Sequence, residues 1–248
     1  MSVQTGIPLT FLGTGNFFAP GHYWNSFLLG NRILFEPSPA ILPNLNKCGI
    51  DRTAIDVIFL SHFHCDHSFG WPFLLLDYLV NRRQSDLWVV GPPGVEQFLN
   101  EMLYAGRIDH IVRLVQSEVG SFPLHYVEVD EQEQEAGPVR FRATRVEHDA
   151  TLECFGFVVE HEGRQIGYSG DTQLCDGLRT IAARSEALVL EASARKGITG
   201  GHIDLSGVRQ LRSEFPHVPF ILTHVGKDID SDGIAKVRVA QDLESVDV

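Results

Sequence analysis

The stretch at residues 58–70 constrains the chain most, because it places three histidines and an aspartate within six residues. It begins inside a short apolar run, 57–60, that is typical of a buried strand, and an apolar stretch of helical length follows it. Imidazole and carboxylate groups are the side chains that bind zinc and similar cations. A strand that ends in a turn holds the backbone still and points such groups at one place. The pattern His-x-His-x-Asp-His therefore predicts a metal site.

Composition narrows the class of protein. The chain has 248 residues, of which 44% are hydrophobic and 21% charged, as is typical of a globular protein with a sizeable core. No apolar run reaches membrane-spanning length, and no basic region followed by an apolar core opens the sequence, so we expect a cytoplasmic protein without a membrane partner. The four cysteines are scattered, which argues against disulfides and a thiolate zinc site. Cys65 lies inside the motif but is not assigned as a ligand.

The formal net charge is −12, and the basic residues are few and dispersed. Nucleic-acid binders usually carry a basic patch, because phosphate contacts dominate their affinity. The charge balance therefore argues against long RNA or DNA as a partner, although a local basic groove stays compatible with it. The expected substrate is a small molecule.

Hydrophobic periodicity predicts alternating strands and helices, which is typical of an α/β arrangement. Turn pairs at Gly30-Asn31 and Glu162-Gly163 predict two β-hairpins. No repeat or linker interrupts the chain, so a single domain over 1–248 is predicted. The predicted strands are 8–15 (ending in a glycine turn), 26–29, 32–35, 57–60, 87–90, 124–129, 139–146, 155–160, 164–168, 187–190 and 219–222. The predicted helices are 40–47, 72–82, 95–104, 174–184, 205–215 and 232–248.

Further metal-binding side chains follow predicted strands. His148 comes after the strand at 139–146, Asp171 after 164–168, and His224 after 219–222. Metal sites recruit ligands from several strand ends, so these three residues join the motif as candidate ligands.

With these residues the chain resembles the metallo-β-lactamase superfamily of metal-dependent hydrolases, whose hallmark is His-x-His-x-Asp-His after a strand. The resemblance covers nearly the whole chain, and its metal motifs are the specific part. It implies an α/β fold of the four-layer αββα type, in which two β-sheets are flanked by helices and the metals lie at one edge of the sheets.

The resemblance also implies a site for two divalent metal ions. Two cations lower the pKa of a shared water, and the bridging hydroxide would attack the substrate, with Asp66 placed to orient it. Nitrogen and oxygen ligands without a thiolate favour zinc, with manganese or iron as alternatives. His64 stands where flavo-diiron relatives carry Glu, which favours zinc over a redox iron pair. The implied ligands are His62, His64 and His148 for the first metal, Asp66, His67 and His224 for the second, and Asp171 as the bridge.

His202 resembles an extra histidine of the ribonuclease Z branch and its small phosphodiesterase relatives. There it is a non-ligand that stabilises phosphate charge or protonates the leaving oxygen. Glu191 resembles a family glutamate that pairs with this histidine and raises its pKa. The favoured function is therefore a phosphodiesterase for a small or cyclic phosphodiester, with Asp66, His202 and Glu191 in catalytic roles.

Two departures from ribonuclease Z weaken a tRNA-processing role. The sequence lacks the inserted basic arm that grips tRNA, and Glu36-Pro37 stands where many relatives have Asp-Cys or Asp-Gly. The alternatives that stay open are a lactonase, thioesterase or β-lactamase-like hydrolase on the same metals, a tRNA 3′ endonuclease, and a metal-binding protein without activity. Dimers are common in this family, so a homodimer is compatible with the sequence. The aromatic loop at 16–25 and the loop at 192–200 are expected to form pocket walls.

Overall fold

The computed structural model describes residues 6–18, 21–116, 122–197, 200–231 and 233–248. These residues form two seven-stranded mixed β-sheets. The first sheet contains, in spatial order, β14 (Glu244–Asp247), β1 (Pro8–Gly13), β2 (Ser26–Leu29), β3 (Ile33–Phe35), β4 (Val57–Phe59), β5 (Leu87–Gly91) and β6 (Leu124–Glu128). The second contains, in spatial order, β13 (Val237–Val239), β12 (Phe220–Thr223), β11 (Ala187–Glu191), β10 (Arg164–Tyr168), β9 (Phe155–His161), β8 (Val139–Arg145) and β7 (Glu133–Ala136).

Helices cover the outer face of each sheet. The apolar faces of four helices pack on the first sheet: α1 (Ile41–Lys47), α3 (Trp71–Val80), α4 (Val95–Ala105) and α5 (His110–Gln116). Two helices pack on the second sheet: α6 (Asp176–Arg184) and α7 (Leu205–Glu214). A one-turn helix, α2 (Cys65–Ser68), follows β4, and a 3₁₀ turn lies at Arg52–Ala54. The predicted four-layer αββα architecture is confirmed. None of the helices in the described part of the chain has the length and apolar character needed to cross a bilayer.

The core between the sheets is built from aromatic rings of both. Phe59 of β4 lies 5.1 Å from Phe35, 5.1 Å from Phe141 and 5.0 Å from Phe157, measured between ring centroids. All four rings are almost completely buried. Because this core draws on both halves of the chain, we propose that the described residues fold as one domain.

Strand direction decides where the site lies. β3, β4, β5 and β6 run parallel to one another, and so do β10, β11, β12 and β13. The carboxyl ends of β10, β11 and β12 therefore meet at one edge of the second sheet, where ligands bind in open α/β sheets.

Both predicted hairpins are present, and each turn needs residues that tolerate positive φ. Gly30 and Asn31 have φ of 59° and 58°, and Glu162 and Gly163 have φ of 51° and 77°. Positive φ at both central residues matches the right-handed twist of the flanking strands, β2–β3 and β9–β10.

The predicted final helix at 232–248 is wrong. Its first residue lies outside the described part of the chain, and the rest forms β13 and β14. Three residues, Gly233, Lys236 and Leu243, have φ between 56° and 70°, which breaks a helix. Pairing of β14 with β1, more than two hundred residues away, outweighs the local preference. The prediction also missed α2, α5, β7 and the 3₁₀ turn, whereas the bounds of the other elements agree with it to within two residues.

Truncation of Phe59 should lower the free energy of unfolding more than truncation of an exposed side chain. Phe59→Ala leaves a cavity among three aromatic rings, so we expect it to lower the free energy of unfolding by about 3–5 kcal/mol. Denaturant unfolding measures this. Phe73→Ala is the matched control, because Phe73 is 59% exposed and should change stability by about 0.5 kcal/mol or less. Equal effects of the two substitutions would contradict the assigned core.

Candidate metal centre

The seven predicted ligands come together at the carboxyl edge of the two sheets. Four of these ligands lie in the first half of the chain and follow β4. The other three lie in the second half and follow strands of the second sheet. His62 and His64 come directly after β4, Asp66 and His67 lie in α2, His148 follows β8, Asp171 follows β10, and His224 follows β12.

Close backbone packing joins the two sheets at this edge. The Ser61 carbonyl accepts a 3.0 Å hydrogen bond from the Phe155 amide. Gly170 sits beside this bond with φ of 58°, and a Cβ there would lie 2.5 Å from the Phe155 carbonyl oxygen. The glycine before Asp171 therefore allows the approach. His224 itself has φ of 50°, a region that non-glycine residues rarely occupy and that clusters at functional sites.

The first group of donor atoms consists of three imidazole nitrogens. His62 Nε2 lies 2.9 Å from His64 Nδ1, and His148 Nε2 lies 3.2 Å from the same atom. All three nitrogens lie within 4.8 Å of one another. Zinc–nitrogen bonds of about 2.0–2.1 Å in a tetrahedral site place neighbouring donors about 3.3 Å apart. The three rings are therefore spaced for one shared cation.

The second group lies beside the first, with Asp171 between them. His67 Nε2 is 3.4 Å from Asp66 Oδ2, and His224 Nε2 is 3.6 Å from it. Asp171 Oδ2 lies 3.3 Å from His67 Nε2 and 3.2 Å from His224 Nε2, and 3.9 Å from both His62 Nε2 and His148 Nε2. One carboxylate oxygen is thus within reach of both groups, as a bridging ligand requires. Cys65 belongs to none of the donor groups found among the described residues.

Several of these buried atoms lack a hydrogen-bond partner in the described structure. They include Nε2 of His67, Nε2 of His224 and Oδ1 of Asp171. A buried polar atom without a partner costs about 1–3 kcal/mol. Divalent cations bound by these nitrogens and oxygens would give them partners. The buried side chains at this site therefore suit divalent metal ions.

The ring nitrogens that face away from the cluster each lie opposite a polar group. At His62, His148 and His224 the partner is within hydrogen-bond distance and fixes the tautomer and the ring orientation, as in metal-binding histidines. At His64 and His67 the partner is a nearby carboxylate, and His67 Nδ1 makes no hydrogen bond. The pairs are His62 Nδ1 with Ser61 Oγ (2.9 Å), His64 Nε2 with Asp149 (3.5 Å), His67 Nδ1 with Glu36 (3.6 Å), His148 Nδ1 with the Gly201 carbonyl (3.1 Å) and His224 Nδ1 with Ser193 Oγ (3.1 Å).

Sequence reasoning missed Glu36, Asp149 and Ser193 as supporting residues. In the sequence Glu36 stands out only as a departure from the family pattern, yet it is fully buried, adopts φ of 57° and accepts a 3.1 Å hydrogen bond from the Ser61 amide. An acid at the end of a buried strand was the available signal. Asp149 follows a predicted ligand directly and carries no such signal.

The charge states of His62 and Asp171 suit cation binding. Burial lowers the pKa of His62 well below its usual value, which keeps the ring neutral. Burial alone would raise the pKa of Asp171, but the surrounding imidazoles, His224 and His67 above all, hold it well below its usual range. A neutral imidazole and an ionised carboxylate are the forms that bind metals.

His202, which is partly exposed, pairs with the buried Glu191 beside the donor groups. His202 Nδ1 lies 3.0 Å and 3.1 Å from the two oxygens of Glu191, which is completely buried. The His202 ring stacks on His224 with centroids 5.4 Å apart. Burial alone would lower the pKa of His202, but the hydrogen bond to Glu191 and its charge outweigh burial and raise this pKa to about 9. Thr172 and Ser193 donate to the Glu191 carboxylate and hold it in place.

Asn25, directly before β2 of the first sheet, forms hydrogen bonds to two strands of the second sheet. These two hydrogen bonds are called the Asn25 clamp below. Its Nδ2 donates to the Tyr168 hydroxyl at 2.9 Å, and its Oδ1 accepts from the Thr223 hydroxyl at 2.6 Å. Tyr168 ends β10 and Thr223 ends β12, the strands that deliver Asp171 and His224. Burial and the nearby carboxylates of Glu36 and Asp171 raise the pKa of Tyr168 well above its usual value, so its hydroxyl stays protonated.

The donor groups form the floor of a cleft of about 320 Å³. Of the loop at 16–25, Asn16, Phe17 and Phe18 line this cleft, while residues 19 and 20 lie outside the described part of the chain. The described residues of the loop at 192–200 do not line it, and residues 198 and 199 lie outside the description. Ser193 of that loop supports His224 and Glu191 instead. The lining residues are Asn16, Phe17, Phe18, His64, Cys65, Asp66, His148, Asp171, His202 and His224.

Comparison with known proteins identifies the class of protein that this fold and site define. A family model described as the beta-lactamase superfamily domain matches residues 31–225. The chain belongs to this superfamily, and it is a metal-dependent hydrolase. Membership implies divalent metal ions, in agreement with the donor groups above.

The relatives of similar sequence are ribonucleases Z, and the solved structures of similar fold include a tRNase Z and a diphosphatase. The chain is 28% identical over 194 residues to ribonuclease Z of Mycolicibacterium gilvum, which covers 74% of this chain and 68% of the relative. The fold is similar to that of the short form of human tRNase Z, with a TM-score of 0.74 and 20% identity over 97% of this chain and 99% of the other. It is also similar to a diphosphatase of the PhnP family, with a TM-score of 0.75 and 18% identity over 98% of each chain.

Zinc should stabilise the fold through Asp171. At a free zinc concentration about a hundred times the dissociation constant, we expect the melting temperature of the metal-free protein to rise by about 5–10 °C. Asp171→Asn should remove most of this rise, because it takes a charge from both donor groups. Asp86→Asn, which changes a partly exposed aspartate that belongs to none of the donor groups, serves as the control and should keep the rise. Thermal unfolding in zinc buffers measures it, and a full rise in Asp171→Asn would contradict the bridging assignment.

Loss of the Asn25 clamp should weaken metal binding without removing a ligand. Asn25→Ala leaves the Tyr168 and Thr223 hydroxyls without their partner, so we expect about tenfold weaker zinc binding. Competition with a chromophoric chelator measures the affinity. Asn81→Ala, at an exposed helix end, is the matched control. Wild-type affinity in Asn25→Ala would show that the two strands are positioned without the clamp.

Proposed function

We propose that the protein is a dinuclear phosphodiesterase, with zinc as the favoured metal, that cleaves a small or cyclic phosphodiester. The observation that carries this proposal is the placement of His202, which lines the cleft beside the two donor groups and is held from behind by the buried carboxylate of Glu191.

The proposed ligands are the two groups joined by Asp171, with His62, His64 and His148 on one side and Asp66, His67 and His224 on the other. When bound there, two divalent cations lower the pKa of water and offset the charge that develops on phosphoryl oxygens. Asp66 lines the cleft and belongs to the second group, so its carboxylate would orient the attacking water by accepting a hydrogen bond from it.

His202 would serve as the general acid. Its Nδ1 is engaged by Glu191, which leaves Nε2 for a substrate in the cleft. Glu191 keeps the ring protonated and oriented, as the raised pKa of about 9 indicates. A proton delivered from Nε2 to the leaving oxygen avoids release of an alkoxide, and such assistance contributes typically 10²–10⁴-fold to the rate.

Ribonuclease Z activity is the second candidate, because the curated relatives carry that name. The cleft supports it less well. The ten described residues that line it include neither Lys nor Arg, whereas affinity for a long nucleic acid comes mainly from cationic contacts to phosphates. A volume of about 320 Å³ is at the lower end of small-molecule sites.

Turnover of model substrates tests the proposed function. Zinc-loaded wild type and His202→Ala would be compared on bis-nitrophenyl phosphate, a nitrophenyl ester, a lactone and a tRNA precursor with a 3′ extension. We expect turnover of the phosphodiester and a loss of about 10²-fold in kcat for His202→Ala, the lower end of the usual contribution of an acid, because nitrophenolate leaves with less assistance than an alkoxide. His217→Ala, which changes an exposed histidine, is the control and should behave as wild type.

The other outcomes separate the alternatives. Turnover confined to the carbon esters and insensitive to His202→Ala would replace the proposal with a lactonase or thioesterase. Accurate cleavage of the tRNA precursor, with salt-sensitive binding, would favour ribonuclease Z. Zinc content measured on each variant shows whether a lost activity reflects a lost metal.

A further inference from the structure

We propose that the two donor groups bind metal with unequal affinity, so that the free zinc concentration regulates the enzyme. The second group, which contains Asp66, fills first. The first group, which consists of three imidazoles, fills at higher zinc concentrations and completes the site. The inference rests on the proposed dinuclear function and adds the regulation of that site.

Buried carboxylates are concentrated around the second group. Asp66 belongs to this group, and the carboxylate of Glu36 lies 3.6 Å from the outer nitrogen of His67. Glu36 is completely buried and Asp66 is 6% exposed. A carboxylate attracts a divalent cation more strongly in a buried place, because the dielectric constant is lower there. The second group therefore has two negative charges near it besides that of the shared Asp171.

Asp171 also lies closer to the second group than to the first. Its Oδ2 is 3.3 Å from His67 Nε2 and 3.2 Å from His224 Nε2. The same oxygen is 3.9 Å from both His62 Nε2 and His148 Nε2. Donors of one tetrahedral zinc ion lie about 3.3 Å apart. The oxygen thus has the spacing of a ligand toward the second group, and its distances to the first group are longer.

The first group has no carboxylate besides Asp171 among its donors in the described part of the chain. The carboxylate of Asp149 lies 3.5 Å from the outer nitrogen of His64, but these side chains are 34% and 38% exposed. Water screens an exposed charge, so Asp149 attracts a cation less than the buried Glu36 does. The pair of Glu191 and His202 adjoins both groups and carries no net charge.

The closeness of the two groups separates the two binding steps further. The ring centroids of His62 and His67, one from each group, lie 4.4 Å apart. Cations in two-metal sites are about 3.5–4 Å apart and repel each other, which weakens the step that comes second. Charge, burial and repulsion therefore all favour the same order of binding.

Zinc binding without any substrate tests this order. The full chain would be dialysed against a series of zinc buffers, and the bound metal would be measured at each free zinc concentration. We expect two equivalents whose dissociation constants differ about a hundredfold. His64→Ala should abolish the weaker step and keep the tighter one, whereas His67→Ala should abolish the tighter step.

Two variants that keep every proposed ligand test the role of charge. Glu36→Gln and Asp149→Asn each replace one carboxylate beside a ligand by an amide of similar shape. Glu36→Gln should weaken the tighter step about tenfold, because the charge that it removes is buried. Asp149→Asn should weaken the other step about threefold or less, because its charge is exposed. This pair decides the question even if His67→Ala does not fold, and equal effects would contradict the electrostatic argument.

Turnover of bis-nitrophenyl phosphate in the same zinc buffers tests the regulation. We expect activity to follow the weaker step, because the site is complete only when both groups hold a cation. The protein with one bound equivalent should therefore have about a tenth of the full activity or less.

The outcomes distinguish this inference from the function on which it rests. Steps of equal affinity, or a tighter step that is lost in His64→Ala and kept in His67→Ala, overturn the unequal binding. Full activity after the first equivalent overturns the regulation. Two unequal steps in the expected order, without turnover of any phosphodiester, overturn the proposed function and support the unequal binding.

Discussion

The structure depends on one buried carboxylate. Asp171 is almost inaccessible to water, and one of its oxygens lies within 3.2–3.9 Å of four imidazole nitrogens from both sheets. An ionised group in such a place is costly unless positive charge surrounds it. Divalent cations bound by the neighbouring neutral rings would supply that charge. The glycine turn before Asp171, the left-handed backbone at His224 and the Asn25 clamp all serve to keep donors at ligand distances.

Support for the site comes from residues whose roles are set by distant partners. Glu36, Ser61 and Asp149 hold rings that follow β4, while Ser193 and the Gly201 carbonyl hold rings that follow the second sheet. Glu191 is used in the same way for His202. Each imidazole thus lies beside one polar group on the side that faces away from the donor groups. These contacts explain why so many polar groups are tolerated in a buried position.

The candidate ligands can be predicted from the sequence far better than the residues that support them. His62, Asp171 and His224 each follow an apolar strand, and parallel strands bring such ends together, so their convergence can be predicted from pattern alone. Asn25 and Ser193 carry no such pattern, because their roles exist only once two strands are adjacent. The C-terminal error has the same origin. The pairing of β14 with β1 and the hydrogen bond from the Thr14 amide to Asp242 are long-range contacts. They cannot be predicted from local helix preference.

The division of the proposed ligands between the two sheets would make metal affinity a property of the tertiary structure. A chain that has folded only its first sheet possesses the hallmark motif but lacks Asp171 and His224, which arrive more than a hundred residues later. Each bound cation then acts as a cross-link that closes a long loop of chain, and its binding energy becomes folding energy. Occupancy of the site therefore reports that the two sheets have docked correctly, as the closure of a long-range disulfide does in a secreted protein.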